Sequence, residues 1–327
     1  MSALPAPAAH VVLIKPGSMG DVIHAVPVVE AMRAARPAWK VTWIVDDRWA
    51  PLLDGLPGVD KHLFPRNRFR GADGWLRALR WMCGLKSLEA DCVVDLQGLF
   101  RSGVMAFSIR CRDVIGLSDA REGSRWIQKK TARVDSGEHA VHRYRRALPL
   151  LGIPVPEKPV WKFKLPPLPQ ALTGHAYAVL HPTARGAGKS LDAECVETFA
   201  RTFHEAGGPR LVLVGQGDGS APGGVLDLRN RTSLPELGAV LSGACFVVSV
   251  DSGPMHWAVA LGRPTLSIHT WSDPRKVGPY AEDCWIWQGG EIRPQRLGGP
   301  LPRAKPFTPR DADLVARFAA GQSNSAI

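Results

Sequence analysis

The chain has 327 residues, 45% hydrophobic and 22% charged, with 41 Lys+Arg against 30 Asp+Glu and a net charge of +11. At roughly 100–200 residues per domain, the length fits two globular domains. The composition is too apolar for a disordered chain, and no apolar run reaches the roughly 18–20 residues of a membrane span.

Six cysteines, at 83, 92, 111, 195, 245 and 284, form no C-x-x-C and have no close His partner. Such scatter argues for reduced thiols in a cytoplasmic protein, against a zinc site or disulfide frame. The first ten residues lack a basic start followed by an apolar stretch, so no cleaved leader is expected. Residues 1–150 hold 23 Lys+Arg against 15 Asp+Glu, and the remainder 18 against 15. The excess charge therefore belongs to the first half. A basic surface there suits nucleic acid, an anionic membrane or an acidic small molecule.

In chain order, short β-rich apolar runs alternate with amphipathic helical patterns. The spacing predicts a buried strand over 11–14, then a helix over 21–35 with Val22, Ile23, Val26, Val29 and Met32 on one side. A strand at 41–45, a helix at 74–86, a strand at 92–96 and a helix at 143–151 follow. Residues 152–169 then hold six prolines in eighteen positions. Proline removes a donor and restricts its predecessor, so this stretch reads as a linker. Beyond it the rhythm restarts, with strands at 176–181, 211–214, 246–250 and 265–268. Helices at 193–206, 233–242 and 254–261 lie between and after them. The last helix spans 308–320, capped by Thr308 and opened by Pro309, with Leu314, Val315 and Phe318 on one face. Strand–helix alternation in two blocks implies an α/β protein with two parallel sheets, each covered by helices on both faces. Ligands of such sheets bind at the carboxyl ends of the strands.

Three loops at those ends carry polar chemistry. The turn Lys15-Pro16-Gly17-Ser18-Met19-Gly20-Asp21 leaves a strand and opens a helix, offering free N–H groups to an anion or carbonyl. It is neither a Walker loop nor G-x-G-x-x-G, although Asp46 after the next strand leaves a dinucleotide site open. Asp21 is either a first-turn charge favoured by the helix macrodipole or a functional carboxylate. The second loop is Asp251-Ser252-Gly253-Pro254-Met255-His256, a capped helix start or a phosphate site. The third runs from His181 through Thr183 and Arg185 to Lys189, a Gly-rich candidate diphosphate clamp. One loop in the first domain and two in the second describe an interdomain cleft with a nucleotide on the second side.

Basic segments run from Lys61 to Lys86, with seven cations against Asp73 alone, and from Arg101 to Arg133, with eight against three acids. Interleaved Phe64, Phe69, Trp75 and Trp81 nominally fit single-stranded nucleic acid, but no nucleic-acid-binding module is visible. An anionic acceptor explains the asymmetry equally well.

Several separated motifs in register resemble the glycosyltransferase family 9 heptosyltransferases over about residues 10–300. They are Ser18-Met19-Gly20-Asp21 with His24, Asp95-Leu96-Gln97-Gly98-Leu99 with Arg101-Ser102, and Val248 to Gly253 with His256. Gly262-Arg263-Pro264 and Ser272-Asp273-Pro274 fit as well, and Asp95 to Leu99 looks most like the heptosyltransferase I branch. The resemblance implies the GT-B fold, with an acceptor-binding Rossmann-like domain over 1–155, a linker over 156–170 and a nucleotide-sugar domain over 171–305. It implies a C-terminal helix, 306–327, packing back on the first domain.

The implied reaction is inverting transfer of L-glycero-D-manno-heptose from ADP-heptose to the Kdo of Kdo-lipid A, without metal or cofactor. Its implied setting is the cytoplasmic face of the inner membrane, peripherally bound, with no nucleic acid involved. By resemblance, Asp21 is the general base and Lys189 steadies the diphosphate. Thr183, Asp251, Ser252, Gly253 and His256 join Lys189 at the donor. Ser18, Met19, Gly20, Gln97, Arg66, Arg68, Arg70, Arg101 and Arg121 fall where the family binds its acceptor. The chain departs from the pattern at Ala184, in a longer loop before Lys189, and at Ser190-Leu191; near the adenosine only Asp218 is acidic. The alternatives are a GT-B transferase with another nucleotide sugar, heptosyltransferase II-like, and a basic nucleic-acid-binding protein.

Overall fold

The computed structural model describes residues 9–295 and 302–326. The first eight residues, within the stretch read for a leader, lie outside them. The chain divides into two compact units, Met1–Lys164 and Leu165–Ile327, and the division falls inside the Pro-rich stretch.

The first unit is built on six strands: β1 His10–Ile14, β2 Lys40–Asp46, β3 Val59–Phe64, β4 Glu89–Asp95, β5 Arg110–Leu117 and β6 Lys130–Ala132. They lie in the order β3-β2-β1-β4-β5-β6, and every pairing is parallel. Central β1 is flanked on both edges, and Val11, Val12, Leu13 and Ile14 are all buried. That is why its sequence is a continuous apolar run with no alternation.

Four helices join these strands: α1 Met19–Ala35, α2 Gly74–Gly84, α3 Phe100–Ser108 and α4 Ala140–Arg145. The one-sided burial expected of α1 is exceeded. Ala25, Pro27, Val28 and Ala31 are buried along with Val22, Ile23, Val26, Val29 and Met32. Helix α4 and the turn at 148–151 pack on α1, and the chain just before the unit boundary adds to them. Trp161 Nε1 donates to Ile23 O at 2.9 Å, and Lys162 pairs with Glu30 at 3.1 Å. Trp161 and Lys162, past the middle of the Pro-rich stretch, are therefore tied to α1.

The second unit has seven strands: β7 Tyr177–His181, β8 Arg210–Leu213, β9 Leu226–Asp227, β10 Phe246–Val250, β11 Thr265–Ile268, β12 Cys284–Gln288 and β13 Glu291–Pro294. Their order is β13-β12-β11-β10-β7-β8-β9, parallel except for the antiparallel edge pair β12–β13. The helices are α5 Ala193–Glu205, α6 Leu234–Gly243, α7 Gly253–Ala260, α8 Pro274–Val277 and α9 Pro309–Ser325.

Helix α9 corrects one expectation. It belongs to the second unit, where Ala312, Val315, Ala316, Ala319 and Ala320 join the core of Phe199, Phe203 and Phe246. Four alanines let its backbone approach α5 closely, and Thr202 Oγ1 bonds Asp313 Oδ1 at 3.0 Å across the contact. Phe318 packs on the Trp285 ring, with centroids 5.6 Å apart. Val315 and Phe318 of the expected face are packed there, whereas Leu314 is exposed.

Strands β3, β5 and β6 and helix α3 are absent from the sequence expectations, as are β9, β12, β13 and α8. The sequence of β3, Val-Asp-Lys-His-Leu-Phe, is polar because it is an edge strand, and β5 opens Arg-Cys-Arg-Asp. Both lie in or beside the basic segments from Lys61 to Lys86 and from Arg101 to Arg133. The closeness of α5 and α9 gives a test. Ala316→Leu should overpack the second unit by about 1–3 kcal/mol. Hydrogen exchange should accelerate in α5 and α9 and stay unchanged in the six-stranded sheet.

Candidate functional site

At the carboxyl end of β1 the chain turns through Lys15 to Ser18 into α1. Lys15 is 2% exposed and Asp21 33% exposed, with Lys15 Nζ 3.3 Å from Asp21 Oδ1. Lys15 also donates to Leu96 O at 3.3 Å and lies 4.5 Å from the Tyr144 ring centre. Tyr144 Oη donates to Asp21 Oδ1 at 2.6 Å, while Ser18 N and Oγ donate to Oδ2 at 2.9 and 3.1 Å.

Asp21 is thus both a first-turn cap and the partner of a buried ammonium. Burial opposes ionisation of Asp21, but the Lys15 charge, the Tyr144 hydroxyl and the Ser18 N–H outweigh it and hold the carboxyl below its usual range. Burial and the Asp21 charge push the Tyr144 hydroxyl well up, so it remains a protonated donor.

Beside this turn, β4 ends in buried Asp95. Its carboxylate accepts from Gln97 N at 2.9 Å, Gly98 N at 3.0 Å, Ser102 Oγ at 2.9 Å and Ser124 Oγ at 3.1 Å. Burial raises its pKa despite these donors. Gly98, at φ 65°, faces Ala120 so closely that a Cβ would lie 3.2 Å from Ala120 Cα. Arg121 N donates to Gly98 O at 2.8 Å, which ties the loops after β4 and β5 together. Half-buried Gln97 and exposed Arg121 stand at this edge.

Ser18 is exposed, whereas Met19 and Gly20 are buried in the first turn of α1. Arg66, Arg68 and Arg70 form an exposed turn beyond β3, two strand positions from β1. The Arg77 guanidinium fixes that turn, donating to Arg68 O at 2.6 Å and Arg70 O at 2.8 Å. Arg101 lies 5.6 Å from the Phe64 ring centre, and burial together with the charge of Arg66 pushes its pKa down. Asp46, the acid a dinucleotide site would need, is committed to Arg48 at 2.6 Å.

In the second unit, the loops after β7, β10 and β11 converge at the carboxyl edge. Lys189 Nζ donates to Asp251 Oδ2 at 2.8 Å and lies 4.4 Å from the Trp271 ring centre. Thr270 Oγ1 donates to Gly188 O at 2.9 Å, pinning the Gly-rich loop beside the chain that follows β11. Gly215, at φ 107°, leaves no room for a Cβ between His181 and Thr183. Ser252 spends its hydroxyl on His181 Nδ1 at 3.2 Å and Val250 O at 3.1 Å, and its side chain does not cap α7.

Burial opposes ionisation of Asp251, but His269, His256 and Lys189 lower its pKa. His181 and His269 are both buried, and burial takes each down to about 4, leaving neutral rings at neutral pH. Thr183, Lys189, Asp251, Ser252, Gly253 and His256 therefore all belong to this one edge. Exposed Asp218 stands in the loop after β8.

Sequence reasoning missed Tyr144, Trp271 and His269. Tyr144 lies 123 residues from Asp21 in sequence, and no local pattern links them. Trp271 carried a faint signal, as a large aromatic ahead of Ser272-Asp273-Pro274. Tyr144→Phe removes one donor to Asp21, so the Asp21 pKa should rise in carboxyl-carbon NMR titrations. The stability from this depressed carboxyl is present above its unfolded pKa, about 3.9, and is lost as pH falls through the folded value. That loss should be smaller in the variant and complete at higher pH.

Residues 79–295 match glycosyltransferase family 9 (heptosyltransferase). Among relatives, lipopolysaccharide heptosyltransferase 1 of Pseudomonas aeruginosa is 31% identical over 290 residues, 83% of this chain and 81% of that protein. Lipopolysaccharide core heptosyltransferase OpsX of Haemophilus influenzae is 23% identical over 291 residues, 82% of this chain and 81% of that protein. Among solved structures, E. coli heptosyltransferase WaaC with ADP superposes with a TM-score of 0.71 at 24% identity, covering 85% of this chain and 92% of that one. This likeness shows the GT-B fold. The chain belongs to glycosyltransferase family 9, the heptosyltransferases.

Proposed function

We propose that this glycosyltransferase moves L-glycero-D-manno-heptose from ADP-heptose to Kdo of the lipopolysaccharide inner core, Kdo-lipid A, with inversion. The observation that carries the reading is the Asp21 carboxylate, held ionised yet one-third exposed at the carboxyl edge of the first sheet. The names of the heptosyltransferase 1 relatives support heptose transfer in lipopolysaccharide synthesis, and the ADP bound to E. coli heptosyltransferase WaaC supports the donor. In this reading the enzyme works peripherally at the cytoplasmic face of the inner membrane.

The chemistry assigns each group a task. Asp21 takes the proton of the Kdo hydroxyl as its oxygen bonds to the anomeric carbon, and the bond from that carbon to the ADP oxygen breaks. Four donors already surround the carboxylate, and the exposed Ser18 hydroxyl at 3.1 Å is the one free to rotate away. The acceptor hydroxyl takes its place. Lys189 meets the charge that develops on the departing diphosphate, which competes with Asp251 for the ammonium.

The first N–H groups of α7, with Gly253 and His256 in its opening turns, offer further positive potential to the same phosphates. Thr183 supplies a hydroxyl beside them, and Ser252 holds the loop through its bonds to His181 and Val250 O. Arg66, Arg68, Arg70, Arg101 and Arg121 draw the anionic acceptor, with Gln97, Met19 and Gly20 lining its approach. Because Met19 is buried, it contributes through its backbone.

Asp21→Asn should lower kcat by about 10²–10⁴-fold while ADP-heptose still raises Tm. Normal turnover in that variant removes Asp21 as the base. Lys189→Met should weaken the ADP-heptose thermal shift and leave acceptor KM little changed. Charge reversal at Arg66 and Arg68 should raise acceptor KM more than donor KM, and the opposite pattern overturns the acceptor assignment. A thermal shift from UDP-sugars alone overturns the donor.

A further inference from the structure

Helix α2 is apolar on two sides, and only one of them faces the protein. On the inner side, Trp81 packs edge-to-face on Phe64 with centroids 5.0 Å apart, and its Nε1 donates to Leu63 O at 2.9 Å. On the outer side, Trp75 and Leu79, one helical turn apart, are 62% and 52% exposed, and neighbouring Leu76 is exposed too. Helix α3 packs beside α2 and repeats the pattern. Phe100 and Phe107, seven residues apart on one face, are 61% and 79% exposed. The turn Ser124–Ile127, packed on α3, presents Trp126 at 91% exposure. Large exposed apolar groups clustered on a soluble protein mark an interaction site.

The surrounding charge says what kind. Arg66, Arg68, Arg70, Arg77, Arg80 and Lys86 are all exposed, and none enters a side-chain ion pair among the described residues. The acid among them is Asp73. A protein partner's interface core is depleted of charge, whereas Trp and Leu flanked by uncompensated Arg and Lys suit an anionic lipid interface. Cations there gain from the negative surface potential while the apolar side chains sink below the headgroups.

We propose that the outer face of α2, continued by α3 and Trp126, docks on the surface of an anionic lipid bilayer. This deepens the peripheral membrane association proposed above and rests on that reading, but vesicle binding is measured apart from transfer. Among the described residues no helix is long and apolar enough to cross a membrane, so the contact is interfacial.

The test is co-sedimentation of the full chain with phosphatidylcholine vesicles, with and without phosphatidylglycerol. Wild type should bind the anionic vesicles, less so as salt rises, and hardly bind the neutral ones. Trp75→Ser/Leu79→Ser should lower partition at least about tenfold with Tm and the ADP-heptose thermal shift unchanged. Arg80→Gln/Lys86→Gln, which removes no packing, should lower it about tenfold or more for anionic vesicles only. Transfer to a lipid-free Kdo acceptor should be the same in both variants and wild type. Failure of that transfer in wild type counts against the enzyme reading and leaves the vesicle result standing. The docking proposal is overturned if wild type ignores anionic vesicles or if both variants bind like wild type. It is equally overturned if Trp75→Ser/Leu79→Ser only converts a dimer to monomers, or if the face binds RNA and not vesicles.

Discussion

A buried ammonium organises the first unit. Lys15 leaves the central strand at the point where the backbone must turn, and its charge has almost no access to water. Removing a cation from water costs several kcal/mol unless opposite charge and hydrogen bonds answer it. Here the Asp21 carboxylate, the Leu96 carbonyl and the Tyr144 ring face do so together. Each comes from a different element: the first turn of α1, the loop after β4, and α4. Satisfying one charge therefore fixes three segments at one edge of the sheet. It also keeps the carboxylate ionised, because protonating Asp21 would leave Lys15 without its anion.

Asp95, at the end of the neighbouring strand, is the instructive contrast. It is also a carboxylate at a carboxyl edge, but neutral donors surround it, and burial raises its pKa. Its four hydrogen bonds knit the loops after β4 and β5, and it offers nothing to a substrate. The second unit divides its labour in the same way. His181 and His269 are buried, neutral and bonded to serine hydroxyls, so they shape the loops. The charged pair among them is Lys189 with Asp251, largely buried and covered by Trp271. At each edge, groups that titrate far from neutrality hold the backbone, and one ionised pair remains for chemistry.

What the sequence disclosed follows from this division. Buried parallel strands are continuous apolar runs, so β1, β2, β4, β7, β10 and β11 were legible, and with them the loops at their ends. Strands whose residues are polar because they lie at an edge, such as β3, carry no such signal. The buried face of α9 was visible in Val315 and Phe318 but not in its alanines, and Leu314, read onto the same face, is exposed. Asp21 and Lys189 were legible through motifs, while Tyr144 reaches Asp21 only through tertiary packing. No spacing rule could have joined Asp21 to a tyrosine on α4, whose own neighbours give no hint of the contact.

The charge excess of the first half can now be resolved by subtraction. Most acids of that half are already engaged: Asp54 with Lys61, Asp60 with Lys40, Asp113 with Lys130, Asp119 with Arg143 and Glu138 with Arg146. Buried Asp21 and Asp95 are engaged as well. The cations left without an acid in these pairs fall mainly in two stretches, between Arg66 and Lys86 beside the exposed face of α2 and between Arg101 and Arg133. A net charge spread evenly would create a weak, diffuse potential, and salt would screen it. Concentrated beside exposed tryptophan and leucine, the same charge acts at contact distance, where screening is least effective. Part of the asymmetry counted along the sequence therefore sits beside one surface, and that surface adjoins the arginine turn proposed for the acceptor. A lipid-linked acceptor would meet its binding site and its membrane on the same side of the first unit.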